Sequence, residues 1–274
     1  MSNDLSEPAV AVVTGGGRGI GAAIARRLAA TGHRVLITDR DETRARDTAN
    51  RLGSRCEWAA HDVRDPGSHE RIADAASALG SLRVWVNNAG VLIAGPAWSH
   101  GSDEIASTLE INVLGMMLGS RAATLAMADE GGRILNIASM AAHGPVPGLA
   151  VYAASKAAVL SFTTSLQGDL DRAGLPIRAH ALCPDVVATD MVGSHASDAG
   201  AAILFAAARQ LSAEQVAQAG VDLLSSSNPV RSLPRLNALA ARATGLAPRL
   251  GLRLASAAQD AGERRQRRQV EEAR

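Results

Sequence analysis

The sequence predicts an α/β fold: a doubly wound parallel sheet with helices on both faces, followed by an atypical helical extension at the C-terminal end. Three observations carry this expectation. Short apolar runs alternate with helical stretches from Ala9 onward, a glycine-rich turn joins the first run to the first helix, and no linker or internal repeat interrupts the alternation before residue 228. Repeated βα units stack their strands in parallel and present ligands at the carboxyl ends of the strands.

The first unit reads AVAVV at Ala9 to Val13, then TGGGRGIG at Thr14 to Gly21, then the helical AAIARRLAATG. Glycines in such a turn let the backbone approach a pyrophosphate, and the helix behind it offers free N–H groups at its positive end. The next strand, Arg34 to Thr38, ends in Asp39, 18 residues beyond Gly21. An acid there accepts hydrogen bonds from the ribose hydroxyls of a bound dinucleotide. Helices are expected over Asp41 to Leu52, Pro66 to Leu79, Asp103 to Met127 and Val151 to Arg172. Between them fall strands at Cys56 to Ala60, Arg83 to Asn87, Arg133 to Ala138 and Ile177 to Leu182, and Pro229 to Leu233 is the candidate last strand.

Composition bounds the rest. With 274 residues, 47% of them hydrophobic, and a net charge of +1, the chain reads as one large soluble domain over residues 1–233 with an extension over 234–274. Aromatics are 2%, so Ala, Val, Leu and Ile must build the core. Beyond Asn228 ten arginines face four acids, which puts the charge asymmetry at the C-terminal end. The N-terminal MSNDLSEP is too polar for a signal peptide and no apolar run reaches membrane-spanning length, so a cytoplasmic protein with reduced, buried Cys56 and Cys183 is expected. No nucleic-acid partner is indicated. No metal site is expected, because the seven histidines share no ligand spacing with cysteines or acids.

The only tyrosine and the only lysine of the chain, Tyr152 and Lys156, stand four residues apart. On a helix that spacing puts both on one face. An ammonium ~4.5 Å from a phenol at an effective dielectric of ~20 is worth roughly 3 to 4 kcal/mol, enough to lower a phenol of ordinary pKa ~10 by two to three units. Tyr152 would then exchange protons near neutral pH.

TGGGRGIG at 14 to 21, Asp62-Val63 after the third strand, Asn87-Asn88-Ala89-Gly90 after the fourth, Asn112 within a helix, Ser139 after the fifth strand and Tyr152-x-x-x-Lys156 occur in one order. In that order they resemble the short-chain dehydrogenase/reductase family, over about Ala9 to Met191. The resemblance implies a Rossmann-like fold and hydride transfer between a nicotinamide cofactor and an alcohol or ketone. Tyr152 would be the general acid/base, with Lys156 lowering its pKa and reaching the nicotinamide ribose. Ser139 would orient the reacting oxygen, and Asn112 would interrupt its helix to hold a water on the proton path. Gly15, Arg18, Gly19, Ile20 and Gly21 would form the pyrophosphate turn, and Asp39 and Arg40 would meet the adenosine ribose. Asp62 and Val63 would bound the adenine, Asn88, Ala89 and Gly90 the ribose wall, and Pro184 and Thr189 the nicotinamide. For Asp62 a helix cap before Pro66 is the structural alternative. NAD is the preferred cofactor, because a carboxylate at Asp39 repels a 2′-phosphate while Arg18 and Arg40 can swing away; those arginines leave NADP as a secondary cofactor. A homo-oligomer acting on a small-molecule substrate is expected.

Two departures stand out. The family's Pro-Gly after the sixth strand is Pro184-Asp185 here, so either the backbone differs or Asp185 reaches into the substrate mouth. The family's glycine-rich ending is also absent. Candidate substrate-pocket residues are Val91 to Ile93, Met140, Val146, Leu149, Val187, Met191, Val192 and the Ala-rich stretch 199 to 208, nearly all apolar, which favours a hydrophobic substrate. His143 and His195 are candidates for polar contacts there. A regulatory dinucleotide-binding protein without turnover is the alternative, as is a lyase or epimerase using the cofactor transiently; the intact Asn112, Ser139, Tyr152 and Lys156 set argues against the former.

In the extension, Leu236, Leu239, Ala243, Leu246 and Leu250 recur at spacings of three and four beside Arg235, Arg242 and Arg249, an amphipathic basic helix kinked at Pro248. Packing of that stripe on the body or a neighbouring subunit is the first expectation, and peripheral membrane contact the second. Gly262 to Arg274 is expected to be a frayed or solvated helix.

Overall fold

The computed structural model describes residues 8–272, apart from 197, 207 and 208. Ala207 and Ala208 of the Ala-rich stretch, and the last two residues of the extension, therefore lie outside the described residues. Seven strands form one sheet: β1 (Ala9–Thr14), β2 (Arg34–Asp39), β3 (Cys56–Ala60), β4 (Ser81–Asn87), β5 (Gly132–Ile137), β6 (Ile177–Pro184) and β7 (Val230–Leu233). Every neighbouring pair is parallel, in the order β3-β2-β1-β4-β5-β6-β7. The chain starts in the middle, builds outward through β2 and β3, then returns to build the other way from β4. A crevice opens where that order reverses, at the carboxyl ends of β1 and β4.

A strand buried on both faces reads as a continuous apolar run, and β1 does from Ala9 to Val13 before it ends in Thr14. Ala11 and Val13 join Ile24 and Leu28 of α1 (Gly19–Ala30) in one core, which also takes in α8 (Ala213–Leu224). Val10 and Val12 join the other, with Ile72 of α3 (Pro66–Ser77), Ala122 and Ala123 of α5 (Gly115–Ala126) and Leu170 of α6 (Ala150–Ala173). The helix α2 (Glu42–Leu52) starts at Asp41, whose side chain caps it through the Arg44 amide. Trp85 is the largest fully buried side chain, and its indole N–H donates to Asn87 Oδ1 at 2.8 Å. From Asn87 a buried network continues to Ser120, Asn136 and Thr163. Each of these groups has a partner, so the sheet centre tolerates their polarity. Cys56 and Cys183 are buried and unpaired.

The helical stretch from Asp103 to Met127 is interrupted around Asn112, as the resemblance implied: α4 (Ser102–Leu109), a π-turn over Glu110–Leu114, and α5. Asn112, in the wide turn, is what the insertion serves, as shown below.

Two expectations are corrected, the first of them in part: of the two partners expected for the leucine stripe, the body and a neighbouring subunit, the body is not one. After β7 the chain forms α9 (Arg235–Leu246) and α10 (Pro248–Glu272), broken at Ala247, whose φ of −124° and ψ of 73° lie outside the helical region that a following proline disfavours. Leu236, Leu239, Leu246 and Leu250 do not pack on the body; Leu236 is 80% and Leu246 90% exposed. The inward face is small instead. A Cβ on Gly245 would collide with the His143 carbonyl, and one on Gly144 with Thr244, so the two backbones touch only because both positions are glycine.

Second, the stretch from Gly262 packs on the body at its start, where Gly262 and Gln266 are buried, while Arg264, Arg267 and Arg268 are exposed. Gly262 lies against the backbone of Ala202, and buried Gln266 donates to the carbonyls of Ala196 (3.1 Å) and Asp198 (3.2 Å). Absence of a side chain at Gly262 admits α10 to the 3-10 segment Ala199–Phe205.

Candidate active site

The glycine turn is held from four sides. Thr14 ends β1 and its hydroxyl accepts from the amides of Asn88 (3.0 Å) and Ala89 (3.1 Å), tying β1 to the end of β4. The Asn88 side chain donates to the carbonyls of Thr14 and Gly15, both at 2.9 Å. Thr48 donates to the Gly17 carbonyl at 2.9 Å, and Asp39 Oδ2 accepts from the Gly17 amide at 3.2 Å. Gly15, at φ +60°, lies so close to Ala89 Cα that a side chain would clash. Gly21 does not reach the cavity; it packs under the turn, where a Cβ would strike the Gly15 carbonyl. The first turn of α1 has no side-chain cap, and Gly19 and Ile20 line the cavity there. These uncapped amides suit an anion.

Asp39 is anchored rather than free, since its Oδ1 also accepts from the Asp41 amide at 3.1 Å. Arg18 is drawn towards Asp190, 3.6 Å away, and Arg40 lines the cavity. Asp62 is not the helix cap; Asp65 is, through the Gly67 amide. Asp62 instead pairs with Arg64, whose hydrogen bonds hold its carboxyl down to about 2. Beside it His61 bonds Thr38 at 3.1 Å and meets His69 edge-on. Burial, reinforced by His69, lowers His61 to about 3.

Tyr152 and Lys156 lie on α6 as their spacing requires, with the ammonium 5.8 Å from the phenol ring centre. Their electrostatics differ from the expectation. Lys156 donates to the Ile137 carbonyl at 2.9 Å, and burial lowers it to about 8. The Tyr152 phenol stands above its ordinary value, because burial raises it while only the Ser139 hydrogen bond pulls it down. Desolvation thus outweighs the ammonium that the spacing alone suggested. Ser139 stands in extended backbone two residues beyond the end of β5, and its hydroxyl accepts from the Ala141 amide at 3.2 Å.

Asn112 lies behind the cavity wall. Its Oδ1 accepts from the Val91 amide (2.8 Å), while its Nδ2 donates to the Val91 carbonyl (2.9 Å) and to Ser155 (3.0 Å). Its side chain is thus committed to protein atoms. It thereby sets Gly90, where a Cβ would stand 3.2 Å from Asn112 Oδ1 and 3.5 Å from Lys156 Nζ.

The cavity is about 700 Å³ and continuous. One end holds Gly15, Asp39, Asp62 and Val63; the middle holds Ala89, Pro184 and Thr189; the far end holds Ser139, Tyr152 and Lys156 among apolar side chains. Val91, Leu92, Met140, Val146, Leu149, Val187, Met191, Val192 and Ile203 line it as expected, and Ile93 does not. Leu149, Val192 and Leu204 also form a core cluster with Ala201 and Phe205, so these residues serve packing as well. His143 bonds Ser232 at 3.0 Å and His195 faces Asp198 at 3.4 Å.

Sequence reasoning missed Thr14, Thr48 and His61 at the turn, and Ala241 and Thr244 of α9, which close the far end. Thr14 was available, at a strand end directly before the glycines; small residues on a distant helix carry no such signal. Asp185 resolves the Pro-Asp departure. Its Oδ1 accepts from its neighbour's amide, Val186 N (2.9 Å), and its Oδ2 from Asn237 Nδ2 of α9 (2.7 Å). The side chain that replaces glycine is bonded to the extension.

A cleft of this form fits a dinucleotide: a glycine cradle that a Cβ would fill, uncapped helix amides, and a carboxylate beyond them. The family model for short chain dehydrogenase matches residues 9–200. The 3-beta-hydroxysteroid dehydrogenase of Comamonas testosteroni is 33% identical over 70% of this chain and 76% of its own. The probable oxidoreductase EphD of Mycobacterium tuberculosis is 35% identical over 66% of this chain, which spans only 31% of that relative. A short chain dehydrogenase/reductase from Burkholderia phymatum, solved in complex with NAD, superposes with a TM-score of 0.80 at 28% identity, covering 86% of this chain and 92% of its own.

Proposed function

The chain belongs to the short-chain dehydrogenase family, and we propose that it interconverts a hydrophobic secondary alcohol and its ketone with NAD as the preferred cofactor. The observation that carries this reading is the convergence of Ser139, Tyr152 and Lys156 at the apolar end of a cleft whose other end presents Asp39. Bound nicotinamide supplies the hydride donor or acceptor. The glycine turn and the first amides of α1 would hold the pyrophosphate, and Asp39 the ribose hydroxyls.

In the direction of reduction, the Ser139 and Tyr152 hydroxyls donate to the carbonyl oxygen and polarise it. As hydride reaches the carbon, Tyr152 passes its proton to that oxygen, leaving an alcohol and a phenolate. A phenol raised by burial is protonated at neutral pH, as a proton donor must be. Lys156, at about 8, remains mostly an ammonium there and stabilises the phenolate as it forms. Asn112 is a positioning residue, holding Val91 and Ser155 so that Gly90 stays against Lys156.

The preference for NAD is supported by Asp39 being fixed beside the turn by two amides, while Arg18 already faces Asp190. We also read the chain as a homo-oligomer, since Leu109, Leu114 and Leu125 are exposed on the α4 to α5 stretch. Following nicotinamide absorbance across a series of secondary alcohols and ketones of rising hydrophobicity tests the function. Turnover increasing along the series is expected, and no turnover with any member by a folded, NADH-binding protein would overturn it.

A further inference from the structure

Six of the ten large apolar side chains that stand exposed among the described residues fall within α9 and the start of α10: Leu236, Leu239, Leu246, Leu250, Leu252 and Leu254. On α9 the arrangement is the reverse of an ordinary surface helix. Ala238, Ala241 and Gly245 occupy the side towards the protein, and Leu236, Leu239, Ala243 and Leu246 the side roughly opposite. A soluble monomer has no physical reason to turn leucines outward and alanines inward over three turns.

Charge selects the occupant. Arg235, Arg242, Arg249 and Arg253 are exposed along the same segment, and no acid occurs between residues 235 and 253. Among the described residues none of these four arginines has a carboxylate within ion-pair distance; the ion pairs all lie elsewhere. A two-fold contact with a second copy would bring this arginine row against itself. An anionic bilayer offers apolar depth to the leucines and phosphate to the arginines together.

We propose that α9 and the first turns of α10 seat this protein on an anionic lipid surface, the leucines entering the interface and the arginines meeting the headgroups. No described helix is long and apolar enough to cross a bilayer, so the contact is peripheral. The opposite side of α9 supplies Ala241 and Thr244 to the cavity wall. An apolar substrate partitioned into lipid would then be concentrated about one helix diameter, ~10 Å, from the site, a consequence that rests on the proposed activity while the docking does not.

Co-sedimentation of the full chain with phosphatidylcholine vesicles, with or without about 30% phosphatidylglycerol, tests it. Binding to the anionic vesicles is expected, weakening as salt rises. The double variant Leu239→Asp/Leu246→Asp should lower the partition coefficient at least ~10-fold, with far-UV dichroism and melting temperature unchanged because both side chains face outward. The triple variant Arg235→Gln/Arg242→Gln/Arg249→Gln gives a second reading that keeps every leucine, and should lose the preference for anionic vesicles. Equal partition of wild type and variants overturns the proposal. So does a leucine variant that converts an oligomer to monomer, by light scattering, without altering vesicle binding; that face would then be a subunit contact.

Discussion

At the dinucleotide end of the cleft, Thr14, Asp39, Thr48 and Asn88 hold the backbone of the glycine turn by named hydrogen bonds between 2.9 and 3.2 Å. At the substrate end, the wall added by α9 touches the body through Gly144, Thr244 and Gly245, with the Asn237 to Asp185 bond at its edge. The first region is specified by which atoms can donate and accept, so few residue types will serve. The second is specified by shape, and at Gly144 and Gly245 that shape admits only glycine. The difference teaches where mutation should be felt as chemistry and where as packing.

The largest effect is expected at the convergence of the two regions. Tyr152→Phe removes the transferable proton and should lower turnover by at least ~10² while NADH affinity, read by fluorescence titration, stays within a few-fold. Turnover near wild type would break the assignment of Tyr152 as the proton donor.

Next comes the polar end itself. Asp39→Ala removes a negative charge beside the 2′-position, and the ratio of kcat/KM for NAD over NADP should fall by roughly 10- to 100-fold. A higher kcat/KM with NADP in the unaltered protein would sink the preference outright.

The polar end should also be acid-sensitive. His61 has a folded pKa of about 3 against an ordinary value of 6.5. Its contribution to stability is therefore present above ~6.5 and is lost as pH falls towards about 3, amounting to roughly 1 to 2 kcal/mol by pH 5. Denaturant titrations at pH 7 and 5 should show this loss, and His61→Asn should shrink the difference between the two pH values. An unchanged pH dependence in that variant would remove His61 from the account.

The smallest effect is expected at the edge of the apolar wall. Asn237→Ala deletes one exposed hydrogen bond to Asp185 and should cost below about 1 kcal/mol. In a cycle with Asp185→Gly, the two changes should be non-additive, since each removes the same bond. Full additivity of melting shifts would mean that Asp185 does not hold α9.

Most of the polar end was legible in the sequence. Glycines demanded by close approach, an acid ending a strand and a tyrosine four residues before a lysine are tied to residue type and local spacing, so the succession of strands and helices along the chain, the turn, Asp39 and the Tyr152 and Lys156 face could all be read from one dimension. The periodicity of the extension was read correctly as well, along with its break at Pro248. Three matters were decided only by tertiary structure. Spacing placed an ammonium beside a phenol, but the direction of the Tyr152 shift depends on how much water the fold removes, and desolvation prevailed. Asn112 marked an interruption, but its bonds to Val91 and Ser155 needed a π-turn and a loop brought together. The side of α9 that faces the body was set by the contact of Gly144 with Thr244 and Gly245, a fit between backbones distant in sequence. Hydrophobic periodicity reports that a helix has two faces; which face the protein keeps depends on the shape waiting for it.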